Sequence, residues 1–66
     1  MKYEMFSTIG DKITEFESEW HFREQEQIFL QFTSEKRNFI ITHITHDLYA
    51  NKDHIIRLYC QEKKVY

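Results

Sequence analysis

The sequence predicts a small, mainly β domain: an antiparallel sheet of four to five strands, arranged as a meander or a partly closed barrel, with room for a short terminal helix. Three observations predict it. Residues 28–45 (IFLQFTSEKRNFIITHIT) are dense in both aromatic and β-branched side chains and divide about a polar break at 34–38, the pattern of a β-hairpin. Residues 13–23 (ITEFESEWHFR) place Phe16, Ser18, Trp20 and Phe22 on one parity and Glu15, Glu17, Glu19, His21 and Arg23 on the other, a period of two. At 100° per residue, Phe16, Trp20, Phe22, Ile28, Phe29 and Leu30 scatter around a helical wheel and form no stripe.

Taken in order, residues 2–9 (KYEMFSTI) read as a short strand, with Tyr3 and Met5 alternating with Glu4, and lead into a turn at Gly10-Asp11. A helix through Met5, Ile9, Ile13 and Phe16 has the right spacing as well, but it would enclose Gly10 at a cost of about 1 kcal/mol. The second strand runs through 13–23. The polar stretch Glu24-Gln25-Glu26-Gln27 then bends the chain into the central hairpin through a loop of three to five residues. With Phe22 opposite Ile28, Trp20 falls opposite Leu30 and Ser18 opposite Phe32, which predicts a buried Trp20 packed near Leu30 and Phe32.

The next strand carries Phe39, Ile40 and Ile41 in succession, so apolar groups fall on both faces. A sheet with one wet face does not do this. Terminal segments, barrel closure or a second copy of the chain must cover the other face. Residues 46–53 hold a turn cluster, in which Ala50-Asn51-Lys52-Asp53 suits a hairpin loop. Residues 54–62 (HIIRLYCQE) follow as a strand with Ile56, Leu58 and Cys60 on one side, or as a helix capped near Asp47 or Asp53.

One domain spanning 1–66 is expected, and at this size only about 60% of the unfolded chain's surface is buried on folding. A single cysteine, Cys60, excludes an internal disulfide, and there is no zinc-type cysteine pair, so aromatic packing or a partner must supply stability. No apolar run approaches the roughly 20 residues of a membrane span, and no secretion-signal pattern opens the chain, so a cytoplasmic location is expected. Eight Ile beside one Ala, one Gly and no Pro fit AT-rich codons, as in a low-GC bacterium or its phage.

Charge divides along the chain: residues 1–35 carry three basic and eight acidic side chains, whereas 36–66 carry six basic and three acidic. The acidic part opposes nonspecific binding to a phosphate backbone. His43 and His46 stand three apart, which on a strand points them to opposite faces and denies them a shared metal ion. Cys60 reads as a small core residue. The scarcity of glycine argues against phosphate-cradling loops, and a core this thin leaves little room for a water-excluding cleft. Neither an enzyme, a metal nor a cofactor is therefore expected.

What remains is binding. Glu15, Glu17 and Glu19 on a strand would project from one face at intervals of about 6.6–6.8 Å, near the phosphate spacing of a nucleic-acid strand and suited to a basic groove on a partner. Phe29, Phe39 and Ile41 fall on the parity away from the inner face and supply an apolar surface. These six residues form the expected partner-binding set, and the expected function is a non-enzymatic protein-binding module that regulates or inhibits a larger macromolecule. A homodimer covering Phe29, Phe39 and Ile41 is the expected assembly. The alternatives are a single-stranded nucleic-acid binder that stacks bases on Phe29 and Phe39 beside Lys36 and Arg37, and a purely structural homodimer.

Overall fold

Tyr3 and Met5, alternating with Lys2, Glu4 and Phe6, make β1 (Lys2–Ser7) a half-buried strand. In the computed structural model, which describes residues 1–31 and 33–63, four further strands follow: β2 (Lys12–Glu17), β3 (Gln27–Gln31), β4 (Lys36–Leu48) and β5 (His54–Lys63). No helix occurs among the described residues, so the helical alternatives for the first and last segments both give way to strands. The five strands form one sheet in the order β2-β1-β5-β4-β3, curled into a half-barrel.

Three hairpins account for most of the pairing. β1 and β2 join through a turn in which Ser7 N–H donates to Asp11 C=O (2.7 Å) and Gly10 N–H to Ser7 C=O (3.0 Å). Gly10 has φ +97°, a left-handed conformation that only glycine adopts without strain, which explains the chain's single glycine. β3 and β4 form the hairpin expected for 28–45, although β4 begins at Lys36, inside the anticipated polar break. β4 and β5 join through Tyr49–Asp53, closed by Tyr49 N–H to Asp53 C=O (2.9 Å) and Lys52 N–H to Tyr49 C=O (2.9 Å).

The sheet is mixed rather than purely antiparallel, because β1 lies parallel to β5, from Lys2 beside Ile55 to Ser7 beside Cys60. β5 is thus the central strand, and its sequence suits that place. Ile56, Leu58 and Cys60 enter the core while Ile55 and Tyr59 are half-buried on the other side, as a strand with neighbours on both edges requires.

The core lies on the concave face: Tyr3, Met5, Phe39, Ile41, Ile56, Leu58 and Cys60 are each almost wholly buried, with Ile13, Phe16, Phe22, Ile28, Leu30 and Ile44 against them. This corrects the placement of Phe39 and Ile41 on an outer, partner-facing surface. The reason is register. Ile28 pairs with Phe39 and Leu30 with Arg37, so even positions on β3 share a face with odd positions on β4. A further register shift between Ile41 and His43 makes Thr42 an extra residue, which returns Ile44 rather than His43 to the core side, opposite Leu58.

The segment 18–23 is also not the continuation of β2. β2 stops at Glu17 and pairs with β1, so the expected pairing of Phe22 with Ile28 and Trp20 with Leu30 does not form; the expected partner of Ser18, Phe32, lies outside the described residues. Residues 18–26 instead lie across one end of the concave face. Phe22 packs edge-on against Tyr3 (centroids 5.0 Å) and Phe16 (5.8 Å), and Tyr3 stacks on Phe16 (5.3 Å).

The convex face is covered largely by its own side chains. Phe6 stacks on Tyr59 at 5.7 Å, and beside them Arg57 bonds Glu4 (3.0 Å) and pairs with Asp47. Lys12 reaches both Glu4 (3.8 Å) and Glu15 (2.9 Å).

Candidate partner-binding site

Trp20 is the largest side chain in the protein, and it is 61% exposed. That overturns the expectation of a buried tryptophan. Parity with Phe16 and Phe22 suggested burial, but the strand ends before parity can apply. Ser18 is the local cause: its hydroxyl accepts the Trp20 N–H at 3.0 Å, a side chain-to-backbone bond that competes with strand pairing.

The loop that presents Trp20 is fixed on several sides. Ser18 N–H donates to Met1 C=O (3.0 Å), and the Tyr3 hydroxyl donates to Trp20 C=O at 2.6 Å, so a buried core ring holds the tryptophan backbone. Glu26 works as a double acceptor. Its Oε1 takes the Arg23 N–H (2.7 Å), and its Oε2 takes the indole Nε1–H (3.2 Å), which fixes the orientation of the ring. At the far end Gln25 N–H donates to Ile41 C=O (2.8 Å) and Ile41 N–H to Glu26 C=O (3.0 Å). Gln25 takes φ +76° there, a bulge conformation that costs a non-glycine residue about 1 kcal/mol or more.

Around the indole lies a shallow depression lined by Glu19, Trp20, His21, Arg23 and Glu26. Its edge is mixed in charge. Glu24 adds a further acid nearby in sequence and lies 3.7 Å from His43 Nδ1. A flat indole face ringed by polar and charged groups has the anatomy of a binding anchor with a wet rim.

The expected set of Glu15, Glu17, Glu19, Phe29, Phe39 and Ile41 does not converge. Phe39 and Ile41 are core. Glu15 and Glu17 stand on edge strand β2, whereas Phe29 stands on β3 at the opposite edge of the sheet. Glu19 lies beyond β2 and lines the depression beside Trp20, so the acidic row has two members on the strand and not three. Lys12 also bonds Glu15 and holds its carboxyl below the usual range, while Glu15 raises the Lys12 ammonium. Phe29 is 45% exposed, with the Lys36 ammonium 4.6 Å from its ring centroid.

The remaining chemistry-bearing residues are placed as follows. His43 and His46 do fall on opposite faces: His43 pairs with Tyr59, whereas His46 meets His54, Nδ1 to Nε2 at 2.9 Å. No three His, Cys, Asp or Glu side chains converge around a possible metal position among the described residues. Cys60 is buried, its thiol pushed up to about 11 by desolvation, so it is protonated and unreactive at neutral pH. No helix is long and apolar enough to cross a membrane among the described residues.

Comparison with protein-family models, with curated proteins and with solved structures finds no match for this chain.

Proposed function

We propose that this chain is a non-enzymatic protein-binding module that regulates or inhibits a larger macromolecule, with Trp20 as the anchor of its interface. One observation carries the reading: a small domain that needs every apolar contact leaves its only tryptophan outside the core, on a loop held by named hydrogen bonds. Tryptophan is among the residues most enriched at interface hot spots, and a pre-positioned ring loses little entropy on docking. Loops held on a rigid sheet are also where binding residues concentrate.

Glu19 and Glu26 beside the ring favour a partner with basic or neutral groups and oppose a phosphate backbone. The test is affinity capture from the native host with the wild-type chain and with Trp20→Ala, each first shown to be folded by circular dichroism. A discrete protein retained by the wild type and lost by the variant supports the proposal. Nucleic acid as the retained species, or equal retention by both chains, overturns it.

A further inference from the structure

The two edges of the sheet differ in a way that points to a second copy of the chain. β2 is blunted as exposed edges usually are, with Lys12, Glu15 and Glu17 along it. β3 carries no charge at all: it reads Gln27-Ile28-Phe29-Leu30-Gln31. That sequence is nearly palindromic about Phe29. A palindrome is what an isologous antiparallel pairing needs, because each residue then meets its own kind across the two-fold axis.

The backbone agrees with the sequence. Ile41 exchanges hydrogen bonds with the Gln25–Glu26 bulge: its C=O accepts the Gln25 N–H and its N–H donates to the Glu26 C=O. The Glu26 carbonyl thus faces β4, while the Glu26 N–H closes the loop on Arg23 C=O. In an antiparallel ladder this direction alternates, so Ile28 and Leu30 also bond inward, opposite Phe39 and Arg37. Gln27, Phe29 and Gln31 therefore turn their N–H and C=O groups outward to the open edge. Those three positions form a matching set about a two-fold axis at Phe29.

We propose that β3 is a homodimerisation strand, pairing antiparallel with β3 of a second copy about an axis at Phe29. Gln27 of each copy lies opposite Gln31 of the other, Ile28 opposite Leu30, and the two Phe29 rings are side by side. Ile28 and Leu30 extend the concave apolar face across the junction, so two half-barrels share one continuous sheet. Phe29, 45% exposed in the single chain, gains its partner on the convex face, where Lys36 already lies over the ring. This interface is separate from the Trp20 loop and does not depend on the function proposed for it.

Sedimentation equilibrium of the full chain from about 10 to 500 µM tests the proposal, since an interface of one strand pair is small and its dimer weak. The wild type is expected to approach twice the chain mass of 8.2 kDa. Gln27→Lys with Gln31→Lys sets like charges opposite each other and raises the dissociation constant about tenfold or more, whereas Gln27→Lys with Gln31→Glu sets opposite charges together and restores the dimer. Both positions are exposed, so circular dichroism should show each variant folded. Three results would overturn the proposal: a monomer throughout the range, a dimer indifferent to the paired lysines, or growth beyond the dimer, as joining β3 of one copy to β2 of the next would give.

Discussion

At the scale of single residues, the contrast between Tyr3 and Trp20 decides how the chain divides its aromatic rings between folding and binding. Tyr3 is 1% exposed, touches Phe16 and Phe22, and gives its hydroxyl to the Trp20 carbonyl; Trp20 projects outward. Tyr3→Ala or Phe39→Ala should cost about 3–5 kcal/mol, most of what a domain of this size has, and Trp20→Ala less than about 1 kcal/mol. Urea denaturation followed by circular dichroism checks the difference. The sequence does not distinguish the two rings, since both sit on alternating stretches between charged residues. The local bond to the Ser18 hydroxyl and the tertiary bond from the Tyr3 hydroxyl separate them, and neither is marked by hydrophobic spacing.

Cys60 supplies a pH prediction at the same scale. Desolvation raises its folded-state value to about 11, above the ordinary thiol value of the unfolded chain. A raised acid of this kind leaves stability intact below the unfolded value and removes it as pH rises through the folded one, because the unfolded state releases its proton first. Stability should therefore fall between about pH 9 and 11, and Cys60→Ala should flatten that part of the profile. A thiol reagent at pH 8 should label the native protein slowly and the unfolded chain at once.

At the scale of elements, the turns record how much of the fold was legible. Gly10 announced the β1–β2 turn, and the 28–45 hairpin, the 50–53 turn and the last strand all appear near their expected places. What failed was phase. The even–odd pairing across β3 and β4 moved Phe39 and Ile41 from the outer face to the core, and the extra residue Thr42 then set Ile44 rather than His43 on the core side. One residue of register reverses every side chain on a strand, and the sequence of a loop specifies register weakly unless it holds a tight-turn pair. Positive φ at Gln25 and Lys52 was likewise invisible, because neither residue type advertises it. Gln25→Gly should relieve the bulge and stabilise the fold by about 0.5–1 kcal/mol, read as a higher urea midpoint. Gly10→Ala should cost a similar amount through backbone strain alone, since no atom lies within 4 Å of the added methyl.

At the scale of the whole molecule, the charge division along the sequence is partly spent inside the fold. The parallel pairing of β1 with β5 sets Glu4 beside Arg57, which also holds Asp47, so acidic and basic parts of the chain meet on the convex face of the single chain. The second apolar face inferred from the Phe39-Ile40-Ile41 run is narrower than expected, because Phe39 and Ile41 turn inward and only Ile40 remains outside. The large apolar side chains left exposed include Ile9, Leu48 and Tyr49 at or beside the turns, Trp20 on its loop and Phe29 on one edge, and the last two are where we locate binding.

Because Trp20 is the only tryptophan, its fluorescence reports the central claim of a presented rather than packed indole without ambiguity. Acrylamide quenching of the native and urea-unfolded chain is the most direct measurement. The structure requires a red-shifted native emission and a quenching slope close to that of the unfolded chain. A blue-shifted native emission that resists acrylamide would place the indole in the core and contradict it.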